Sequence, residues 1–207
     1  MKKIMGIISS LLVIGVIGCA EIREYVDMAG DKGVSREYRD ALNAWTRTRT
    51  VLSQFETKVV ISATLKNATF RKAYGKEYER LYPLPASDSK AREDLQAGLA
   101  ADFTEFLFYA NTPSDDANDF DQQNSLWTVY LCDDRGNWMA PLEIRRITKI
   151  TPLIEAFYPY VRPYYGKFYS LKFAPLKDSE GKPDAASKKS YVLVFTSVIA
   201  RVELEWK

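Results

Sequence analysis

The feature that most constrains this chain is apolar residues recurring at every second position. After Gln54, Val59, Ile61, Ala63 and Leu65 fall on one face, with Lys58, Ser62, Thr64 and Lys66 on the other. A period of two places a residue type on one side only if the backbone is extended, and β-branched residues pack well on a pleated, half-buried surface. The preceding run of alternating threonine and arginine from Thr46 has the same period, so the two segments are expected to pair, although no two-residue turn signal joins them. In the last segment, Val192, Val194, Val198, Ala200, Val202, Leu204 and Trp206 are expected to share one face. That run exceeds a typical strand, so a bulge or bend is expected within it.

Two stretches break this pattern. Ser35 can cap a helix in which Tyr38, Ala41, Leu42 and Trp45 recur at helical spacing. Between residues 67 and 103, Phe70, Ala73, Tyr74, Tyr78 and Leu81 form one helical stripe, and Ala91, Leu95, Leu99 and Phe103 form another. Pro83 and Pro85 separate them. Beyond this helical pair, Phe106 to Ala110 is apolar on both faces, as in a doubly buried strand. Trp127 to Leu131 alternates, and a turn around Gly136 is expected to lead from it into a strand over 142–150. Another strand is expected over 165–173.

Seven such segments predict a mainly β fold. The expected form is an antiparallel β-sandwich, similar in outline to immunoglobulin-like domains, with the helical pair of residues 67–103 inserted between the second and third strands. The competing architecture is α+β, with helices laid on an antiparallel sheet. The cysteine-tryptophan-cysteine signature of immunoglobulin domains is absent.

Composition excludes several function classes. There is no histidine among the 207 residues, which removes most serine, cysteine and metal-dependent hydrolytic arrangements that use an imidazole as base or ligand. No phosphate-cradling glycine loop and no nucleophile-elbow motif is present, so no catalytic residue, cofactor or metal site is assigned. Carboxylate or lysine chemistry is the remaining catalytic route. Without residues 1–18, which contain Lys2 and Lys3, basic and acidic residues balance at 27 each. Such a neutral body lacks the basic surplus by which nucleic-acid binders displace counterions, and nucleic acid is not expected as a partner.

The first 19 residues carry an address. Lys2 and Lys3 precede an apolar run from Ile4 to Ile17, which is shorter than the roughly 20 residues of a spanning helix. It ends in Val16-Ile17-Gly18-Cys19, which resembles the lipobox of bacterial lipoproteins: an aliphatic residue three before the cysteine and a small one just before it. Ile17 is larger than the pattern usually prefers. The resemblance covers only the signal. It implies cleavage before Cys19, a diacylglyceryl thioether on that cysteine, and acylation of the new amino group with a fatty acid such as palmitate. Ala20 and Glu21, with no aspartate after the cysteine, are similar to lipoproteins sent to the outer membrane, facing the periplasm or the cell surface. The expected organisation is a signal peptide over 1–18, a lipidated tether over 19–33 and a single globular domain over 34–207. With Cys19 lipidated, Cys132 has no partner for an internal disulfide.

Three constellations stand out in the body. Asp115, Asp116, Asn118, Asp119 and Asp121 offer oxygen ligands of the kind calcium needs. Their spacing fails the calcium-loop pattern, since Asn124 and Tyr130 occupy the positions of the turn glycine and closing carboxylate, and a solvated acidic loop is the simpler reading. Between Phe157 and Tyr169, Tyr158, Tyr160, Arg162, Tyr164 and Tyr165 are interleaved with Pro159 and Pro163. Tyrosines of this density stack on sugar rings or bury into a partner, or else close one end of a core. If there is a binding site, this stretch is the expected place. Cys132 is expected as a small core residue, Arg47 and Arg49 as charges on a sheet face that could meet an acidic partner or lipid headgroup, and Glu77, Glu79 and Glu93 as helix-surface charges. Together these features predict a non-catalytic envelope lipoprotein, held on the membrane lipid through Cys19, that binds a protein partner or supports an envelope assembly. A glycan or small-ligand module is the alternative, and a carboxylate-dependent enzyme comes third.

Overall fold

The computed structural model describes residues 33–133, 136–176 and 190–207. The signal, Cys19, the tether up to residue 32 and the polar loop over 177–189 lie outside them. Ser35–Lys207 form one compact unit.

The protein is mainly β. It comprises α1 (Arg36–Trp45), β1 (Thr46–Ser53), β2 (Glu56–Leu65), α2 (Ala68–Leu81), α3 (Ala86–Asp102), β3 (Thr104–Asn111), β4 (Thr128–Asp133), β5 (Trp138–Met139), β6 (Glu143–Arg146), α4 (Pro152–Phe157), β7 (Lys167–Phe173), β8 (Tyr191–Thr196) and β9 (Arg201–Trp206). Two antiparallel sheets result, with strand orders β1-β2-β3-β7-β6 and β5-β4-β8-β9. Side chains from both fill a common core. Ile61, Phe106 and Phe108 from the first meet Leu193, Phe195 and Trp206 from the second.

The expected helical pair sits where the pattern placed it. Asn67 caps α2 by accepting a hydrogen bond from the Phe70 amide (2.9 Å), and Pro83 and Pro85 separate α2 from α3. The helices cover the side of the five-stranded sheet that faces away from the other sheet. There Tyr38 of α1, Phe70 and Tyr74 of α2 and Phe157 of α4 pack ring against ring. A helical layer and a sheet partner therefore cover opposite faces of β3, and every residue from Thr104 to Ala110 is buried. The stripe expected on α3 is not buried. Leu95 is largely exposed and no α3 residue is fully covered, because its inward contacts are polar: Arg92 lies over the Tyr78 ring (3.5 Å) and Gln96 accepts from Arg71 (2.6 Å).

Three strand expectations need correction. β1 and β2 pair, with Ser53 opposite Glu56, through the two-residue turn Gln54-Phe55, both at positive φ (52° and 66°). No glycine or asparagine marked that turn, which is why the sequence concealed it. The turn at Gly136 leads only into the two-residue β5. After Pro141 the chain leaves this sheet, and Glu143–Arg146 pairs with β7 in the other. Proline supplies no ladder donor. The last segment is a hairpin rather than one bent strand. Because Phe195 pairs with Val202, the inward parity switches across the turn, and the core between the sheets receives Tyr191, Leu193 and Phe195, while half-buried Val192 and buried Val194 lie on the other face.

Candidate functional site

The registers define the two ends of the sandwich. β1 rises from Thr46, opposite Thr64, to its turn with β2, and β3 rises beside β2 to Asn111, opposite Val60. β7 starts there, with Lys167 opposite Ala110. β9 descends to the foot of β1, where the Trp206 indole donates to the Trp45 carbonyl (2.9 Å) and Arg47 donates to the Glu205 carbonyl (2.8 Å). The β8–β9 turn is therefore at the same end as the β1–β2 turn, the 112–127 loop and the 162–166 turn.

That end carries six of the ten large hydrophobic side chains exposed among the described residues: Leu52, Phe55, Leu126, Tyr164, Tyr165 and Val198. Phe55 is fully exposed, and Tyr164 and Val198 are each 94% exposed. Each forgoes roughly 1.5–3 kcal/mol that burial of a large apolar side chain contributes. Concentration on four separate connections at one end makes this apolar crown the candidate interaction surface.

Hydrogen bonds tie down the connections that present the crown. The Tyr109 hydroxyl donates to the Arg162 carbonyl (3.1 Å), and the Tyr165 amide donates to the same oxygen (3.0 Å). Gly166 is required beside them, since a Cβ there would lie 2.3 Å from the Ala110 carbonyl oxygen. Asp119 accepts from Ser125 Oγ (3.0 Å) and from the Leu126 amide (2.9 Å), fixing the loop that presents Leu126. At the β8–β9 turn, Ser197 Oγ accepts from the amides of Ile199 (2.9 Å) and Ala200 (3.2 Å), leaving Val198 outward.

The aromatic stretch expected to bind divides in two. Tyr158 is buried against Phe70, Tyr74 and Phe168. Tyr160 shares a hydrogen bond with Thr64 Oγ1 (2.7 Å). Burial pushes both phenols well above their usual pKa, so they act as neutral packing groups. Tyr164, Tyr165 and the exposed Arg162 belong to the crown. Phe55 and Leu126 are single apolar residues in connections and Leu52 lies at the end of β1, so no periodicity marks them, while Val198, expected on the inward face of one long strand, sits outward in the β8–β9 turn. Only the strand registers bring them together.

Asn118 is a buried loop staple, with Nδ2 donating to the Ala110 carbonyl (2.7 Å) and Oδ1 accepting from the Tyr169 hydroxyl (2.9 Å), while Asp115 pairs with Lys167 (3.0 Å). Among the described residues no acidic or cysteine group is arranged to hold a metal ion. Cys132 is half-buried rather than fully in the core, with Sγ donating to the Asp133 carbonyl (3.6 Å). Arg47 is not a free sheet-face charge. It donates to the carbonyls of Ala44 and Thr46 as well as Glu205, and lies over Trp206. Arg49 is exposed.

Glu77 is also not a helix-surface charge. It is buried, accepting from the Ser35 amide (2.8 Å), from Ser35 Oγ (2.6 Å) and from Arg80 (2.8 Å), and so ties the start of α1 to α2. Burial raises its carboxyl pKa, but the bonds from Arg80 and Ser35 outweigh this and hold it below the usual range. Glu79 is half-buried and Glu93 exposed. No helix among the described residues is long and apolar enough to cross a membrane. No family model, curated protein or solved structure matches the chain.

Proposed function

We propose that this chain is a non-catalytic lipoprotein of the bacterial envelope, anchored to the outer membrane through lipid on Cys19, that binds a protein partner through the apolar crown. The observation carrying the binding half is the gathering of Leu52, Phe55, Leu126, Tyr164, Tyr165 and Val198 at one end of the sandwich. The anchoring half rests on the lipobox-like ending of residues 1–19. Asp116 is exposed on the connection that also bears Leu126, and Arg162 on the turn that bears Tyr164 and Tyr165, so single charges of both signs rim the apolar residues, an arrangement that suits a protein surface.

The test is mass spectrometry of the protein purified from its membrane, with proteins that co-purify after crosslinking in cells. A chain beginning at lipidated Cys19, and a partner that is retained by the native protein but lost from Phe55→Ser/Tyr164→Ser, is the expected result. A chain retaining residues 1–18, or the same co-purifying proteins with and without the crown substitutions, would contradict it.

A further inference from the structure

A second feature lies under the helical pair, away from the crown. Glu105 of β3 accepts hydrogen bonds from Lys66 Nζ (3.0 Å), Arg71 Nη2 (2.6 Å) and Ser170 Oγ (3.4 Å). Arg71 is fixed further, with Nε donating to the Lys66 carbonyl (2.8 Å) and Nη1 to Gln96 Oε1 (2.6 Å). A cavity of about 240 Å³ opens beside this group, and the cations Lys66, Arg71 and Arg92 line it. No carboxylate is among its lining residues, and Glu105, which pairs with Lys66 and Arg71, is shared by those two cations. The opposite wall is apolar: Phe70, Leu107, Ile147, Ile154, Tyr158 and Phe168. An adjoining groove of about 410 Å³ between α2 and α3 shares Arg71, Tyr74, Arg92 and Gln96 with the cavity, and there Glu79 and Glu93 are balanced by Lys72 and Lys76.

Two cations on one carboxylate leave a positive surplus in a site largely removed from water, which is unfavourable unless an anion completes it. Lys66 shows the same surplus. Burial lowers the pKa of its ammonium, Glu105 acts to raise it, and Arg71 and Lys172 lower it further. A guanidinium fork suits the planar oxygens of a carboxylate, and the facing wall removes hydrocarbon or an aromatic ring from water. At about 240 Å³ the cavity lies just below the roughly 300–1,000 Å³ of ligand pockets, which fits a small molecule and not a whole lipid.

We propose that this cavity binds a small organic carboxylate, its charged head between Lys66, Arg71 and Arg92 and its apolar body against Leu107, Ile154 and Phe168. The site is independent of the crown, so either can fail without the other.

The test is calorimetric titration of the purified full-length protein with 4-phenylbutyrate, alongside the uncharged 4-phenylbutan-1-ol and inorganic phosphate. Saturable binding of the acid is expected, with the alcohol weaker by about tenfold or more. Arg92→Gln removes one cation without unpairing Glu105, and is expected to weaken the acid by about tenfold while the alcohol, which reports an intact apolar wall, binds as before. Ile154→Trp, which fills the cavity from α4, is expected to abolish binding of both. No saturable binding, equal binding of acid and alcohol, or an acid affinity indifferent to Arg92→Gln would overturn the assignment. Phosphate displacing the acid at equal concentration would overturn the apolar half of it.

Discussion

Between its two sheets this protein packs hydrocarbon on hydrocarbon, whereas between the five-stranded sheet and the helices it buries a carboxylate, an ammonium and a guanidinium among the rings. Phe108 illustrates the first interior, stacked on Tyr169 and touching Phe120 and Phe195. Glu105, three residues earlier on the same strand, illustrates the second. Nondirectional packing fills space completely, while directional groups must satisfy their own geometry and leave room around it. Buried charge therefore gathers on the helical side, with a cavity beside it, and the sandwich provides the frame that holds both that side and the crown in place.

The largest effect expected from breaking this contrast is at Phe108. Its replacement by alanine should cost about 3–5 kcal/mol in denaturant unfolding, since a close-packed core collapses poorly onto a lost ring. A loss under about 1 kcal/mol would show that the sandwich is not the main stabilising interior.

Glu105→Gln comes next. It leaves Lys66 and Arg71 uncompensated and should cost about 3 kcal/mol, much of it recovered in the double variant Lys66→Met/Glu105→Gln. The native Glu105 carboxyl is held below its usual range, because Lys66 and Arg71 outweigh the raising effect of burial. A carboxylate with a depressed folded-state pKa stabilises above its unfolded value and loses that contribution as pH falls through the folded one. The acid limb of the stability profile should accordingly be shallower in Glu105→Gln, and an unchanged limb would contradict the role given to this pair.

Glu77→Gln should cost less, about 1–2 kcal/mol, because Ser35 keeps a hydrogen-bonding partner and Arg80 is partly exposed. Its acid limb should flatten for the same reason, and pH titration of unfolding checks both. Smallest, and opposite in sign, is the β1–β2 turn. Gln54→Asn/Phe55→Gly should stabilise by about 1 kcal/mol, since both positions hold positive φ without the residues that favour it. Retention of that strain beside the most exposed aromatic ring fits a turn shaped for contact rather than for stability.

How far this was legible in the sequence follows from the same physics. Alternation in Val59–Leu65 and helical spacing in Phe70–Leu81 report burial directly, and the doubly apolar Phe106–Ala110 foretold a strand covered on both sides. Parity through the β8–β9 hairpin was not legible, because it depends on which residue lies opposite Phe195 and not on composition. The buried Glu77 was hidden because its sequence neighbours are polar and its partner, Ser35, is 42 positions away. Lys66, Arg71 and Glu105 were hidden likewise, since each taken singly resembles a solvated charge. Of the aromatic stretch, density announced tyrosines with something to cover, but only the fold separated Tyr158 and Tyr160, which close the helical interior, from Tyr164 and Tyr165, which do not.

The most direct test of the crown is site-specific photocrosslinking in living cells, with the reactive residue at Phe55 or Tyr164 and, as controls at the opposite end of the sandwich, at Trp138 or Leu142. Adducts to one common protein from Phe55 and Tyr164, and none to it from Trp138 and Leu142, are predicted. No discrete adduct at the crown, or the same adduct from both ends, would contradict it.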